Sequence, residues 1–97
     1  MQEKRRFYVY ILTNKWNNVL YTGVTSSLKR RMEQHKAGGG ARFTSKYRTE
    51  KLVYIEEHDD PRMAVVREQQ IKAGSRAKKI ELIQAANPDW RDLSGDL

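Results

Sequence analysis

The sequence lacks cysteine altogether among its 97 residues. Disulfide bonds and thiolate metal sites are therefore excluded as sources of stability or chemistry. It also lacks any run approaching the roughly 20 apolar residues that a membrane-spanning helix needs, so no membrane association is expected. The apolar stretch that follows the basic residues 1–6 is too short for a signal peptide, and we expect a cytoplasmic protein.

Acidic residues are scarce in the first half of the chain. Residues 1–48 contain 11 Lys and Arg but only 2 Asp and Glu, whereas residues 49–97 contain 8 and 10, respectively. The first half therefore carries a charge of +9 and the second half −2, which together give the formal net charge of +7. A surface this basic indicates a polyanionic partner, and we expect a nucleic acid. A basic face that is merely solvated is the alternative.

The length fits one domain spanning residues 1–97, with a core at about 7–93 and fraying at 94–97. Segments rich in β-branched and aromatic residues predict three strands, of which the first two form a hairpin. Capping residues and the helical spacing of apolar residues predict three helices. The strands are expected at residues 7–12, 19–24 and 51–56, and the helices from about residue 28 to the glycines at 38–40, at 61–72 and at 76–86.

Two tyrosines, Tyr10 and Tyr21, lie on the first two predicted strands. If the hairpin brings their faces together, the two phenols are neighbours, and Gly23 leaves room beside them for the backbone of a ligand. The alternative is that both are ordinary sheet aromatics, because tyrosine is favoured in strands.

Three charged or titratable side chains lie on the predicted helices. Arg31 and His35 are four residues apart and share the inward face of the first helix, where an arginine that only covers apolar surface is the alternative. Glu68 falls in the apolar stripe of the second helix, where an unpaired charge is costly. A cation must compensate it, and we expect Arg31, a lysine or a metal ion. The alternative to a role in a site is an ordinary helical ion pair with Lys72.

Several cations and two aromatic residues are candidates for contacts with nucleic acid. Phe43 and Tyr47 lie in a basic loop that is typical of base stacking and phosphate contact, although a solvated loop fits nearly as well. The candidate nucleic-acid-binding residues are Lys29, Arg30, Arg42, Lys46, Arg48 and Lys72.

The ordered set of these residues resembles the GIY-YIG nuclease superfamily, and most of all its small single-domain UPF0213-like members. The resemblance covers about residues 7–93 and implies an α+β fold, with a three-stranded antiparallel sheet flanked by three helices. Both name-giving motifs are altered. In the first, Tyr8-Val9 stands in place of Gly-Ile, and in the second, Thr22 stands in place of Ile. The matching segments are Tyr8-Val9-Tyr10, Tyr21-Thr22-Gly23, Leu28-x-x-Arg31-x-x-x-His35 and Glu68-x-x-Ile71-Lys72.

The resemblance also implies roles for individual residues. Glu68 corresponds to the metal-binding glutamate, and a further polar residue of the site corresponds to Lys72 or Asn87. One of the two phenols would act as the general base, and Tyr10 is slightly preferred. The implied catalytic residues are Tyr10, Tyr21, Arg31, His35 and Glu68.

Together these features predict a metal-dependent endonuclease that hydrolyses DNA and selects structure rather than sequence. Because Glu68 is a lone carboxylate, Mg²⁺ or Mn²⁺ is expected to bind weakly without substrate. A catalytically inactive nucleic-acid-binding module and a partner-dependent subunit are the alternatives. For the latter, Trp16 and Trp90 are candidates to anchor a protein partner, although the favoured placement is Trp90 in the core and Trp16 at the tip of the hairpin.

Overall fold

The computed structural model describes residues 5–36 and 48–97. The predicted α+β fold is confirmed, and every predicted strand and helix is found with described ends within two residues of those expected. Its elements are the strands β1 (Phe7–Thr13), β2 (Leu20–Thr25) and β3 (Lys51–His58), the helices α1 (Leu28–Lys36), α2 (Pro61–Ala73) and α3 (Arg76–Ala86), and a 3₁₀ helix (Leu93–Asp96).

The three strands form one antiparallel sheet in the order β2-β1-β3. Strand β1 is central, and its side chains alternate between the two faces of the sheet. Val9 and Ile11 point to one face, and Tyr10 and Leu12 to the other. Because all four side chains are fully buried, both faces of β1 are covered.

Each face of the sheet has its own apolar cluster. The Val9 face packs against Ala64 and Ile71 of α2 and Ile83 of α3. The Tyr10 face packs against Leu28 and Met32 of α1, together with Leu52 of β3. Helix α1 is therefore on one side of the sheet, and α2 and α3 are on the other.

Side-chain caps define where the helices begin. The Ser27 hydroxyl accepts a hydrogen bond from the Arg30 amide (3.4 Å), and the Asp60 carboxylate accepts one from the Arg62 amide (2.8 Å). Pro61 follows Asp60 as the first residue of α2, where its missing N–H costs no helical hydrogen bond. These caps place the starts of α1 and α2 where the sequence predicts them.

The last residues, which were expected to fray, instead form the 3₁₀ helix at Leu93–Asp96. Asp92 accepts hydrogen bonds from the amides of Ser94 (3.0 Å) and Leu52 (3.2 Å), and so joins this segment to β3.

Two further expectations concern the chain as a whole. Among the helices of the described residues, none has the length and apolar composition that a membrane span requires. The predicted contact residues Arg42 and Lys46, with Phe43 and Tyr47, lie outside the described residues.

Candidate active site

Five predicted site residues from four elements lie together in the folded chain. The ring centroids of Tyr10 and Tyr21 are 6.5 Å apart, and those of Tyr21 and His35 are 6.1 Å apart with the rings edge to face. Arg31 and Glu68 are both near enough to Tyr10 to alter the pKa of its phenol. We call these residues, Tyr10, Tyr21, Arg31, His35 and Glu68, the Tyr10 cluster.

Gly23 accommodates the Tyr10 side chain. The two residues are directly opposite each other in β1 and β2. A Cβ atom at Gly23 would lie 2.5 Å from the Tyr10 hydroxyl oxygen, too close for any side chain. The expectation that Gly23 leaves room for a ligand backbone is therefore wrong, because the phenol of Tyr10 fills that space.

The Tyr10 phenol is fully buried. Burial, followed by the proximity of Tyr21, raises its pKa to about 12, and Glu68 acts in the same direction while Arg31 opposes it. Although Arg31 is close, the Tyr10 hydroxyl makes no hydrogen bond of normal geometry to any residue in the described ranges. A buried hydroxyl without a partner is unusual and costs stability.

Helix α1 supplies Arg31 and His35. His35 is buried whereas Arg31 is half-buried, and both face the protein as the helical spacing predicts. Burial and then the Arg31 charge hold the pKa of His35 below its ordinary value of 6.5. His35 therefore favours its neutral form at pH 7, and Arg31 is the cation that α1 directs toward the two phenols.

Arg31 has access to solvent through a small cavity at the start of α1. This cavity has a volume of about 170 Å³ and is lined by Arg30, Arg31 and the hydroxyl-bearing residues Thr25, Ser26 and Ser27, among others. Lys29 and Arg30 are exposed on the outer side of the same helix. The cavity therefore brings the Arg31 guanidinium into contact with solvent next to a second cation, Arg30.

Glu68 forms an ion pair with Lys72, the alternative to a role in a site. Their charged groups are 3.1 Å apart, and the Glu68 side chain is only 14% exposed. An i,i+4 ion pair on a helix contributes only about 0.3–0.5 kcal/mol. The pair alone therefore gives little reason to keep a carboxylate so nearly buried.

Asn87, the alternative to Lys72 as the further polar residue, has a structural role. Its side-chain amide donates to the carbonyl oxygens of Val53 (3.1 Å) and Arg91 (2.8 Å), and its carbonyl accepts from the Arg91 amide. These bonds join the end of α3 to β3. Of the two candidates, Lys72 is the one in contact with the Tyr10 cluster.

A second cluster of polar residues was not predicted. Glu56 accepts hydrogen bonds from the Tyr54 hydroxyl (2.5 Å) and from Arg67 (2.9 Å), and it contacts His58 at 2.8 Å. We call these four residues the Tyr54 cluster. Residues 54, 56 and 58 alternate along β3 and so share one face of the sheet.

The donor set of the Tyr10 cluster contains one carboxylate. In the two described ranges, no three His, Cys, Asp or Glu side chains converge as a metal-binding group. A closed zinc site needs about four protein ligands, so this donor set does not fit one. Mg²⁺ commonly binds through one or two carboxylates together with water and substrate phosphate, and Glu68 fits that requirement.

The chain belongs to the GIY-YIG family. Residues 6–81 match the GIY-YIG catalytic domain, and this range includes the whole Tyr10 cluster. The match confirms the resemblance expected from the tyrosine, arginine and glutamate positions.

Its relatives include proteins designated UPF0213. A UPF0213 protein of Syntrophus aciditrophicus is 42% identical over 83 residues, which is 84% of this chain and 93% of the relative. UPF0213 protein SH2523 of Staphylococcus haemolyticus is 40% identical over 79 residues, covering 81% and 95%. The solution NMR structure of UPF0213 protein BH0048 from Bacillus halodurans matches with a TM-score of 0.58 and 31% identity, over 90% of this chain and 92% of that one.

Proposed function

We propose that this chain is a metal-dependent endonuclease that hydrolyses phosphodiester bonds in DNA. The observation that carries the proposal is that the Arg31 guanidinium and the Glu68 carboxylate both lie close enough to the buried Tyr10 phenol to influence it. Phosphodiester hydrolysis needs a group to activate water, cations to stabilise the phosphoryl oxygens and a site for a metal ion. Membership of the GIY-YIG family supports the same class of reaction.

Tyr21 is the better general base of the two phenols. A general base works best when its pKa is near the working pH, and burial has moved the pKa of Tyr10 away from neutrality to about 12. Tyr21 is partly exposed, so water can approach it. We therefore reverse the preference for Tyr10: Tyr21 takes the proton from the attacking water, and the protonated Tyr10 hydroxyl donates a hydrogen bond into the site.

Arg31 binds the non-bridging oxygens of the scissile phosphate. A guanidinium forms paired, charge-assisted hydrogen bonds that match a phosphate group, and the small cavity beside Arg31 gives the phosphate access. His35 packs edge to face against Tyr21 and, being neutral, orients the phenol without repelling the arginine.

Glu68 is the residue that would hold Mg²⁺ or Mn²⁺. When bound, such an ion supplies Lewis-acid stabilisation of charge on the phosphate and the leaving oxygen. The Lys72 ammonium lies 3.1 Å from the Glu68 carboxylate, so a metal ion must displace it. The displaced lysine is then available to contact the DNA backbone. This competition supports weak metal binding in the absence of DNA.

The Glu68–Lys72 ion pair also favours a second candidate function. If the Glu68 carboxylate stays paired with Lys72, it cannot ligate a metal ion. The chain would then bind nucleic acid without cleaving it. In this alternative, the basic residues of α1 bind the DNA backbone, and a partner protein supplies any chemistry.

The test is a nicking assay on supercoiled, branched and single-stranded DNA with Mg²⁺, Mn²⁺ or EDTA. We expect nicking that requires a divalent ion and is faster on branched DNA than on an intact duplex. Cleavage that persists in EDTA would contradict the role of Glu68. Binding of all three DNAs without nicking, at any metal concentration, would establish the binding module instead.

A further inference from the structure

The tip of the β1–β2 hairpin borders a cavity that the Tyr10 cluster does not use. Its volume is about 410 Å³, within the range of about 300–1,000 Å³ usual for ligand sites. Trp16 forms part of the wall, with cations around it. We call this cavity the Trp16 pocket; its basic lining residues are Lys15, Lys36, Arg48 and Lys51.

Trp16 is held in an exposed position by a well-bonded turn. Its side chain is 65% exposed, which is unusual for the largest aromatic residue. The Asn17 amide donates to the Asn14 carbonyl (3.0 Å), and the side chains of Asn14 and Asn18 bond at 2.6 Å. The indole is therefore presented to solvent by a fixed loop, with the Lys15 ammonium 4.6 Å from its ring centroid.

Two cations of the Trp16 pocket are bonded to neutral groups. Lys51 donates to the side-chain oxygen of Asn17 (2.7 Å), and Lys36 donates to the Ser94 hydroxyl (3.0 Å). Neutral acceptors leave the Lys51 charge largely uncompensated, whereas the Lys36 charge also acts on the nearby Asp92 carboxylate. An anion could replace either neutral acceptor at little cost. The pocket is also lined by Glu50 and Asp92, so four cations face two acids.

The Trp16 pocket and the Tyr10 cluster share the α1 side of the sheet. Lys36 directly follows His35 in α1, and Asn14 is four residues beyond Tyr10 along the β1 direction. Four residues of strand span about 13 Å, which is about four steps of a stacked nucleic-acid strand. One strand of nucleic acid can therefore reach both places.

We infer that the Trp16 pocket binds an unpaired nucleotide, whose base stacks on Trp16 and whose phosphate contacts Lys36, Lys51 and Arg48. A base held in a duplex cannot leave its pair to stack on the indole without a cost of a few kcal/mol. The pocket would thus select DNA in which a single-stranded segment adjoins the cleavage point, such as a flap, bulge or tailed end. This inference rests on the proposed action on DNA.

The inference is tested by measuring binding by fluorescence anisotropy in EDTA, which prevents cleavage. The three labelled DNAs are a blunt duplex, a duplex with a single-stranded tail and a single strand. We expect Trp16→Ala to weaken binding to the tailed and single-stranded DNAs by about 5- to 100-fold, the effect of losing one base–aromatic stack. Binding to the blunt duplex should change less than twofold, and Trp16→Phe should keep most of the affinity.

A second readout reports the stacking directly. The fluorescence of 2-aminopurine placed in the tail should be quenched by the native protein and by Trp16→Phe, but not by Trp16→Ala. Equal losses on all three DNAs, or no loss on any, would overturn the inference while leaving the proposed function standing. If the native protein binds none of the DNAs, the proposed function itself fails.

Discussion

The two tyrosines that name the clusters lie on opposite faces of the same sheet, and their clusters contain the same four residue types. Tyr10 is on the face that packs against α1, and Tyr54 is on the face that packs against α2. Each includes a tyrosine, a glutamate, an arginine and a histidine. In the Tyr54 cluster Glu56 is bonded to all three of its neighbours, whereas the buried Tyr10 hydroxyl has Arg31 beside it but makes no hydrogen bond of normal geometry in the described ranges.

The two phenols have similar pKa values for different reasons. Burial raises the pKa of both to about 12, but the next cause is the neighbouring Tyr21 for Tyr10 and the hydrogen bond to Glu56 for Tyr54. Although burial opposes it, the hydrogen bonds from Arg67, Tyr54 and His58 hold the pKa of Glu56 below its ordinary value. The Tyr54 cluster thus satisfies its own polar groups, while the Tyr10 cluster leaves a donor for a ligand.

The largest difference between the clusters should appear when their glutamates are exchanged for glutamine. Glu68→Gln removes the only carboxylate contributed by the Tyr10 cluster, and we expect the cleavage rate to fall by at least about 10³-fold. Glu56→Gln is the matched control and should leave the rate within about threefold. The measurement is the initial rate of nicking with Mg²⁺; similar rates in both variants would remove Glu68 from the mechanism.

The next largest difference in cleavage rate should appear when the arginine of each cluster is replaced by alanine. Arg31→Ala loses the group that contacts the phosphoryl oxygens, so we expect cleavage to slow by roughly 10²–10³-fold, as when one transition-state donor is removed. Arg67 has no such contact with the phosphate, so Arg67→Ala should alter the stability of the protein rather than its cleavage rate. Single-turnover kinetics at saturating enzyme provide the comparison. A change below threefold in Arg31→Ala would reassign this residue to packing.

Removal of the two hydroxyls should affect stability in different ways. Tyr54→Phe breaks a hydrogen bond to a carboxylate, and the free energy of unfolding should fall by about 1.5–3 kcal/mol. Tyr10→Phe removes a buried hydroxyl that has no such bond, so stability should be unchanged or slightly higher. Urea denaturation at pH 7 measures both. A large loss in Tyr10→Phe would show that its hydroxyl is already bonded in the free protein.

The smallest expected effect is a pH dependence that originates in the Tyr10 cluster. Because the folded protein holds the pKa of His35 below 6.5, the unfolded chain binds more protons in mildly acidic solution. Stability should therefore be lost as the pH falls from 6.5 through the folded-state pKa. Denaturation curves between pH 8 and pH 5 should show a shallower decline for His35→Asn than for the native chain, and identical declines would contradict the assignment.

Sequence patterns predict most of the fold because local signals agree with tertiary packing. The Asp60-Pro61 pair begins α2, Ser75 caps α3, and the β-branched run in β1 forms a strand that is buried on both faces. The Tyr10 cluster was found because its residue types and spacing match a known family, and not because any one residue is distinctive.

Other features depend on distant residues and could not be predicted in this way. Arg67 reaches Glu56 from α2, so the alternation in β3 alone reveals only part of the Tyr54 cluster. The role of Gly23 depends on where the Tyr10 ring comes to rest, which neighbouring sequence does not encode. The final 3₁₀ helix is held against β3 because the Asp92 carboxylate accepts a hydrogen bond from the Leu52 amide, 40 residues earlier in the chain.

The central position of β1 has a consequence for how this chain can change. Inserting or deleting one amino acid between Val9 and Leu12 would turn every later side chain of β1 to the opposite face of the sheet. Aliphatic and tyrosine side chains would then exchange places between the two apolar clusters. A two-residue length change would preserve sidedness but displace the phenol by about 7 Å from the glycine opposite it. Such indels would abolish the site and the core together, so new properties in this strand can arise only through substitution.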